Sequence, residues 1–145
     1  MKKGIDCIGI GVVNLCHDGE GNYLLGHRSD KCRDEHFKWD PVGSGGVKHG
    51  ERIEQAVIRE VKEETGADAI GVKRIGMRET FRELDGKKYH WIQYDHLILV
   101  DPKQVYNPEP DKCLELRWCA LDEFPEEKDL HSQFPIFLET YREIL

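Results

Sequence analysis

The sequence predicts a mixed β-sheet with helices packed on its faces, an α/β arrangement of the α+β kind. Three observations point there. Short runs rich in β-branched and aromatic residues recur along the chain. An amphipathic helical stretch follows a glycine-rich segment near position 45, and a second apolar stripe at helical spacing lies at the C-terminal end. Strands and helices in this order bury their apolar faces as layers around a sheet.

Residues 5–14 (IDCIGIGVVN) and 22–28 (NYLLGHR) are expected strands around the turn His17-Asp18-Gly19-Glu20-Gly21. Residues 29–38 are polar and irregular, which predicts an exposed loop. Trp39-Asp40-Pro41-Val42 is a short extended piece leading into Gly43-Ser44-Gly45-Gly46, whose glycines let the backbone fold tightly against a bound group. A helix is expected from about Glu51 to Thr65, with Ile53, Ala56, Val57 and Val61 toward the core and Glu60, Glu63 and Glu64 away from it. Gly66 is its stop signal. Strands follow at 70–84, 88–100 and 114–120, the first two joined through the hairpin signal Asp85-Gly86. A final helix is expected over 134–145, with Phe134, Phe137, Leu138, Tyr141 and Leu145 on its buried stripe.

The 145 residues are read as one domain, 1–145, large enough for a true core. Apolar residues make up 39 % and charged residues 34 %, a soluble globular balance, and no apolar run approaches the ~20 residues of a membrane span. The N-terminal MKKGIDCIGIGVV is read as the first strand rather than a leader because Asp6 interrupts it, so a cytoplasmic setting is expected. Five cysteines form no CxxC and no zinc spacing, which suits buried reduced thiols. The net charge of −7 argues against a nucleic-acid polymer as partner, but leaves a nucleotide open, because a metal and a few local cations can outweigh it.

The densest chemistry lies in Arg59-Glu60-Val61-Lys62-Glu63-Glu64-Thr65-Gly66. On a helix, Glu60 shares a face with Glu63 and Glu64, so like charges converge beside the negative end of the helix dipole. A divalent cation is the natural compensation, and hard carboxylate oxygens without nearby His or Cys suit Mg²⁺ or Mn²⁺.

Gly45, five residues, Glu51, seven residues, then Arg59-Glu60-Val61-x-Glu63-Glu64-x-Gly66 resembles the signature of the Nudix hydrolases across residues 45–67. Ala67 departs from the usual larger aliphatic residue, a matter of core packing. The resemblance implies an α/β/α sandwich and hydrolysis of a nucleoside diphosphate linked to another group, with Mg²⁺ or Mn²⁺ as cofactor. It implies Glu60 and Glu64, then Glu63, as metal ligands, with the Gly45 carbonyl beside them. Glu63 and Glu60 are the catalytic carboxylates it marks, Arg59 orients a catalytic glutamate, and Glu51 braces the loop against the helix.

Outside the motif, Arg28 ends a strand where many relatives carry an arginine near substrate, and Phe37 and Trp39 are candidates to stack on a base, Trp39 equally for the core. His90 and Trp91 are read as structural. Glu109, Asp111 and Glu115 are candidates for a late-loop general base. The segments Glu109-Pro110-Asp111-Lys112-Cys113 and Arg117-Trp118 are similar to MutT-like nucleotide diphosphatases. The leading expectation is therefore hydrolysis of a nucleoside triphosphate to monophosphate and pyrophosphate. The alternatives are an ADP-ribose or nucleotide-sugar pyrophosphatase and a non-catalytic nucleotide sensor. Many relatives are dimers, which leaves a homodimer open.

Overall fold

The computed structural model describes residues 1–145. Seven strands form one mixed sheet: β1 (Gly9–His17), β2 (Asn22–Arg28), β3 (Trp39–Pro41), β4 (Gly45–Gly46), β5 (Gly71–Leu84), β6 (Lys87–Leu99) and β7 (Cys113–Ala120). Helices α1 (Ile53–Thr65) and α2 (Phe134–Thr140) complete the fold. The central path runs β3-β2-β1-β6-β5, with β7 on β2 and β4 on β1. The β1–β6 pair is parallel and the rest are antiparallel, the mixed sheet expected.

Alternation along β1 and β2 sends side chains to opposite faces and creates two cores. Val12, Cys16 and Leu24 pack with Ala56, Val57 and Val61 of α1. Leu15 and Leu25 pack with Phe134, Phe137 and Tyr141 on α2's side. One helix per face gives the α/β/α layering. Ala67 is fully buried in the first core, where its small side chain fits.

The feature that makes a site is a splay between β1 and β2. They pair only near their shared turn, at His17↔Tyr23. Beyond it they diverge, and two short strands fill the wedge: β3 adds to β2, while β4 adds to β1 through Gly11↔Gly46 and Val12↔Gly45. The connection Val42-Gly43-Ser44 therefore lies in the fork, directly beneath α1.

Three element boundaries differ from the sequence reading. The first strand starts at Gly9 because residues 2–7 close a turn, with Gly4 N donating to the Cys7 carbonyl at 2.7 Å and Lys2 N to the Asp6 carboxylate at 2.6 Å. Helix α1 starts at Ile53, not Glu51, because the Glu51 carboxylate accepts from Lys48 N (3.0 Å) and closes a loop before the helix. The terminal helix ends at Thr140, not 145. Tyr141 donates its hydroxyl to Asp95 on β6 at 2.5 Å, and the chain continues as a turn. The 29–38 loop is also less exposed than expected, since Asp34 and Glu35 are held by Arg28 and Arg82. Of the five cysteines only Cys16 and Cys119 are buried; Cys32 and Cys113 are half-buried and Cys7 is exposed, because they sit on loops or strand ends. No helix is long and apolar enough to cross a membrane.

Candidate active site

The fork is locked from both sides. Asn14, buried inside the apolar run of β1, donates its side-chain amide to the Gly43 carbonyl, and its backbone N–H donates to Ser44 Oγ at 3.0 Å. Gly43 has φ 90° and lies against the Val61 backbone, so both conformation and space require glycine there. From the other side Glu64 accepts from Gly43 N at 2.6 Å and Ser44 N at 3.1 Å. The helix end and the glycine loop are thus one unit.

Arg59 is the hub of the second half. Its Nε and Nη2 chelate Glu51 at 2.8 and 2.9 Å, and Nη2 also donates to the Gly46 carbonyl at 3.0 Å. Nη1 donates to Glu60 at 2.7 Å and to Glu63 at 3.4 Å. Gly45 presses its Cα against the Glu60 carboxylate, where a methyl group would overlap it. Glu51, Arg59, Glu60 and Gly46 therefore form a continuous polar clasp between the loop and α1.

The acids differ in their electrostatics. Hydrogen bonds from Arg59 hold Glu51 down at about 2. Burial raises Glu60 above the usual carboxylate range, against the pull of Arg59. Burial, reinforced by the Glu60 charge and opposed by the Gly43 amide, pushes Glu64 up to about 7. Glu63 projects outward with about half of its side chain exposed (51 %).

The sequence reading has the three acids converging. In the folded chain Glu60 leans on Arg59 and Glu64 on the loop amides, so Glu60, Glu63 and Glu64 do not close into a three-acid cluster. The donor set nevertheless fits a hard divalent cation. Glu60 and Glu64 each use Oε1 within the protein and keep Oε2 free.

Two cavities lie beside the glycine loop and the end of α1. The larger, about 290 Å³, lies on α2's side of the sheet and is lined by Gly45, Gly46, Arg28, Arg82, Trp91 and Gln93 among others. Asp40 also borders it, and burial, eased by Arg28, pushes its carboxyl up to about 8. The smaller, about 120 Å³, brings together Glu64, Glu109, Arg28, Pro41, Cys32 and Cys113. Of the late-loop acids only Glu109 reaches this wall; Asp111 is exposed and Glu115 pairs with Arg117 at 3.0 Å.

The outlying candidates separate. Arg28 lines both cavities, but its Nε and Nη2 are engaged with Asp34 and with the carbonyls of Asp34 and Glu35. Of the two roles open to Trp39, its surroundings favour the core: the residue is buried, His27 stacks on its ring at 4.5 Å and the Arg117 guanidinium lies over the ring at 4.3 Å. Phe37 also lies outside both cavities: it is exposed, at φ 61°, edge-on to His27 and His36. Trp91, read as structural, lines the larger cavity.

The sequence reading missed a buried network on that cavity. Arg78 chelates Asp95 at 2.5 and 2.9 Å, Asp95 is fully buried, and Arg78 Nη1 has no partner. Asn14 was the more legible omission, a polar residue inside Val12-Val13-Asn14-Leu15-Cys16.

Comparison with known proteins bears on the fold and the family. A solved MutT Nudix hydrolase from Burkholderia pseudomallei superposes with TM-score 0.77 at 27 % identity, over 90 % of this chain and 95 % of that one. A MutT protein from Methanosarcina mazei Go1 gives 0.70 at 28 %, over 94 % of each chain. An RNA pyrophosphohydrolase from Wolbachia pipientis subsp. Culex pipiens (strain wPip) is 27 % identical over 124 residues, covering 83 % of this chain but only 64 % of that protein. The family model of the NUDIX domain matches residues 8–140, and the chain belongs to the Nudix hydrolase family.

Proposed function

We propose that this protein hydrolyses a nucleoside triphosphate to the monophosphate and pyrophosphate, using Mg²⁺ or Mn²⁺ held by Glu60, Glu64 and the Gly45 carbonyl. The observation that carries the reading is the pairing of Glu64 with the Gly43 and Ser44 amides, with Glu60 on bare Gly45. Each carboxylate keeps a free oxygen, and Gly45, against which Glu60 lies, lines the larger cavity, which supports this reading.

When bound, the metal supplies neutralisation of phosphate charge and a more acidic water. The chain's own groups do the rest. Arg59 keeps Glu60 in place and holds Glu63 more loosely. Glu109 shares the smaller cavity with Glu64 and is the carboxylate there placed to take a proton from the attacking water. The larger cavity takes the nucleoside, where Gln93, Thr80 and Arg78 supply polar contacts. The net charge of −7 favours a small nucleotide over a polymer.

A substrate panel with Mg²⁺, read by product chromatography, tests this. Monophosphate and pyrophosphate from a triphosphate are expected. Turnover confined to ADP-ribose or nucleotide sugars, or binding without turnover, would overturn it.

A further inference from the structure

We propose that Cys32 and Cys113 are a modification site: on contact with a hydroperoxide they form a reversible disulfide that ties the 29–38 loop to the start of β7. Both thiols line the same small cavity. The Cys32 thiol donates to the Lys112 carbonyl at 3.3 Å, and Lys112 is joined directly to Cys113. The two segments are held together independently of the sulfurs. Ser29 N donates to the Lys112 carbonyl at 2.9 Å and Ser29 Oγ to the Asp111 carbonyl at 2.6 Å. Arg28 and Cys113 are register partners across β2 and β7, and a turn from Ser29 to Cys32 (3.4 Å) brings Cys32 back toward that pair.

A disulfide needs its Cα atoms roughly 4.4–6.8 Å apart, and the Cys32 Sγ lies 3.3 Å from the carbonyl oxygen of the peptide that leads into Cys113. The thiols' present partners are carbonyls, Lys112 for Cys32 and Glu115 for Cys113 (3.1 Å), weak contacts that rotation of either side chain releases. Burial, followed by the charges of Glu64 and Cys32, pushes the Cys113 thiol up, which slows its own attack on a peroxide. The other three cysteines take no part: Cys16 and Cys119 are buried in the two cores and Cys7 is exposed at the N-terminal turn.

The chemistry balances. The Cys32 thiolate attacks the hydroperoxide, the O–O bond breaks, and the leaving alkoxide takes a proton to become an alcohol. Cys32 is then a sulfenic acid. The Cys113 thiolate attacks that sulfur, the S–O bond breaks, and water leaves. Two thiols and one hydroperoxide give one disulfide, one alcohol and one water. A dithiol reductant reverses the result by exchange.

The site needs no assumption about turnover, so its test does not either. Reduced protein is treated with stoichiometric hydrogen peroxide, blocked with an alkylating reagent and mapped by mass spectrometry. A peptide cross-linked through Cys32 and Cys113, lighter by two hydrogens and restored by dithiothreitol, is expected. Cys113→Ser should leave a Cys32 sulfenic acid that dimedone traps, whereas Cys7→Ser should cross-link as wild type does. Full alkylation of both thiols after peroxide, or a cross-link joining other cysteines, would overturn the assignment. Because Glu64 and Glu109 border the same cavity, the oxidised form should turn nucleotide over more slowly. Slower turnover rests on the proposed hydrolase reading and fails separately from the peptide map.

Discussion

Glu64→Gln separates what the carboxylate does for catalysis from what it costs the fold. Its folded-state pKa of about 7 stands above the ordinary 4.5 because burial and Glu60 disfavour the charge. A carboxyl raised in this way lends its full stability below pH 4.5. That stability is lost as pH climbs from 4.5 to about 7. At about 1.4 kcal/mol per unit, the metal-free protein is less stable on the alkaline side by about 3 kcal/mol. Glutamine keeps an acceptor oxygen for the Gly43 and Ser44 amides but gives up charge assistance, on the order of 1 kcal/mol. A net gain of about 2 kcal/mol is expected near pH 8, or roughly 6 °C in Tm, shrinking to zero or slightly negative near pH 4.5. Thermal melts at the two pH values in EDTA read the gain. Turnover of the triphosphate should meanwhile fall by orders of magnitude, and millimolar Mg²⁺ should raise the wild-type Tm but not the variant's. A variant as stable as wild type at every pH, or one with near-normal turnover, would refute the reasoning.

Three further outcomes follow from the packing. Gly45→Ala places a methyl group on the Glu60 carboxylate, so kcat should fall at least about tenfold while melts show the fold retained; unchanged kcat would remove Glu60 from the site. Asp95→Ala strands the buried Arg78 guanidinium and should cost about 3–5 kcal/mol in urea unfolding; a loss below about 1 kcal/mol would show the pair to be solvated. Trp39→Leu loses the ring contacts with Arg117 and His27 and should lower Tm with KM unchanged, whereas a base platform would raise KM.

Much of the fold was legible in local pattern. The stripe Ala56, Val57, Val61 marks α1 and its buried face, and Gly66 at φ 75° is the expected stop. Boundaries were less legible wherever a side chain competes with the backbone pattern. Glu51 belongs by spacing to the helix, yet its carboxylate closes the preceding turn and grips Arg59. Tyr141 fits the α2 stripe, yet its hydroxyl bonds to Asp95 across the layer, where the helix gives way to a turn. Arg78 and Asp95 are separated by a hairpin, and only β5–β6 pairing across the register shift at Arg74/Gly76 brings them together.

The acidic motif could be read from the chain because it is local: helical spacing puts Arg59, Glu60, Glu63 and Glu64 on one short stretch whatever surrounds them. Which of these groups are engaged depends on long-range packing. The splay of β1 from β2 admits the glycine loop, the loop amides take one oxygen of Glu64, and Arg59 takes one of Glu60. The surroundings of Trp39, Arg28 and the Cys32–Cys113 pair were settled the same way, by neighbours far off in the chain. Burial and partner choice depend on those long-range neighbours, and no spacing rule along one strand or helix contains them.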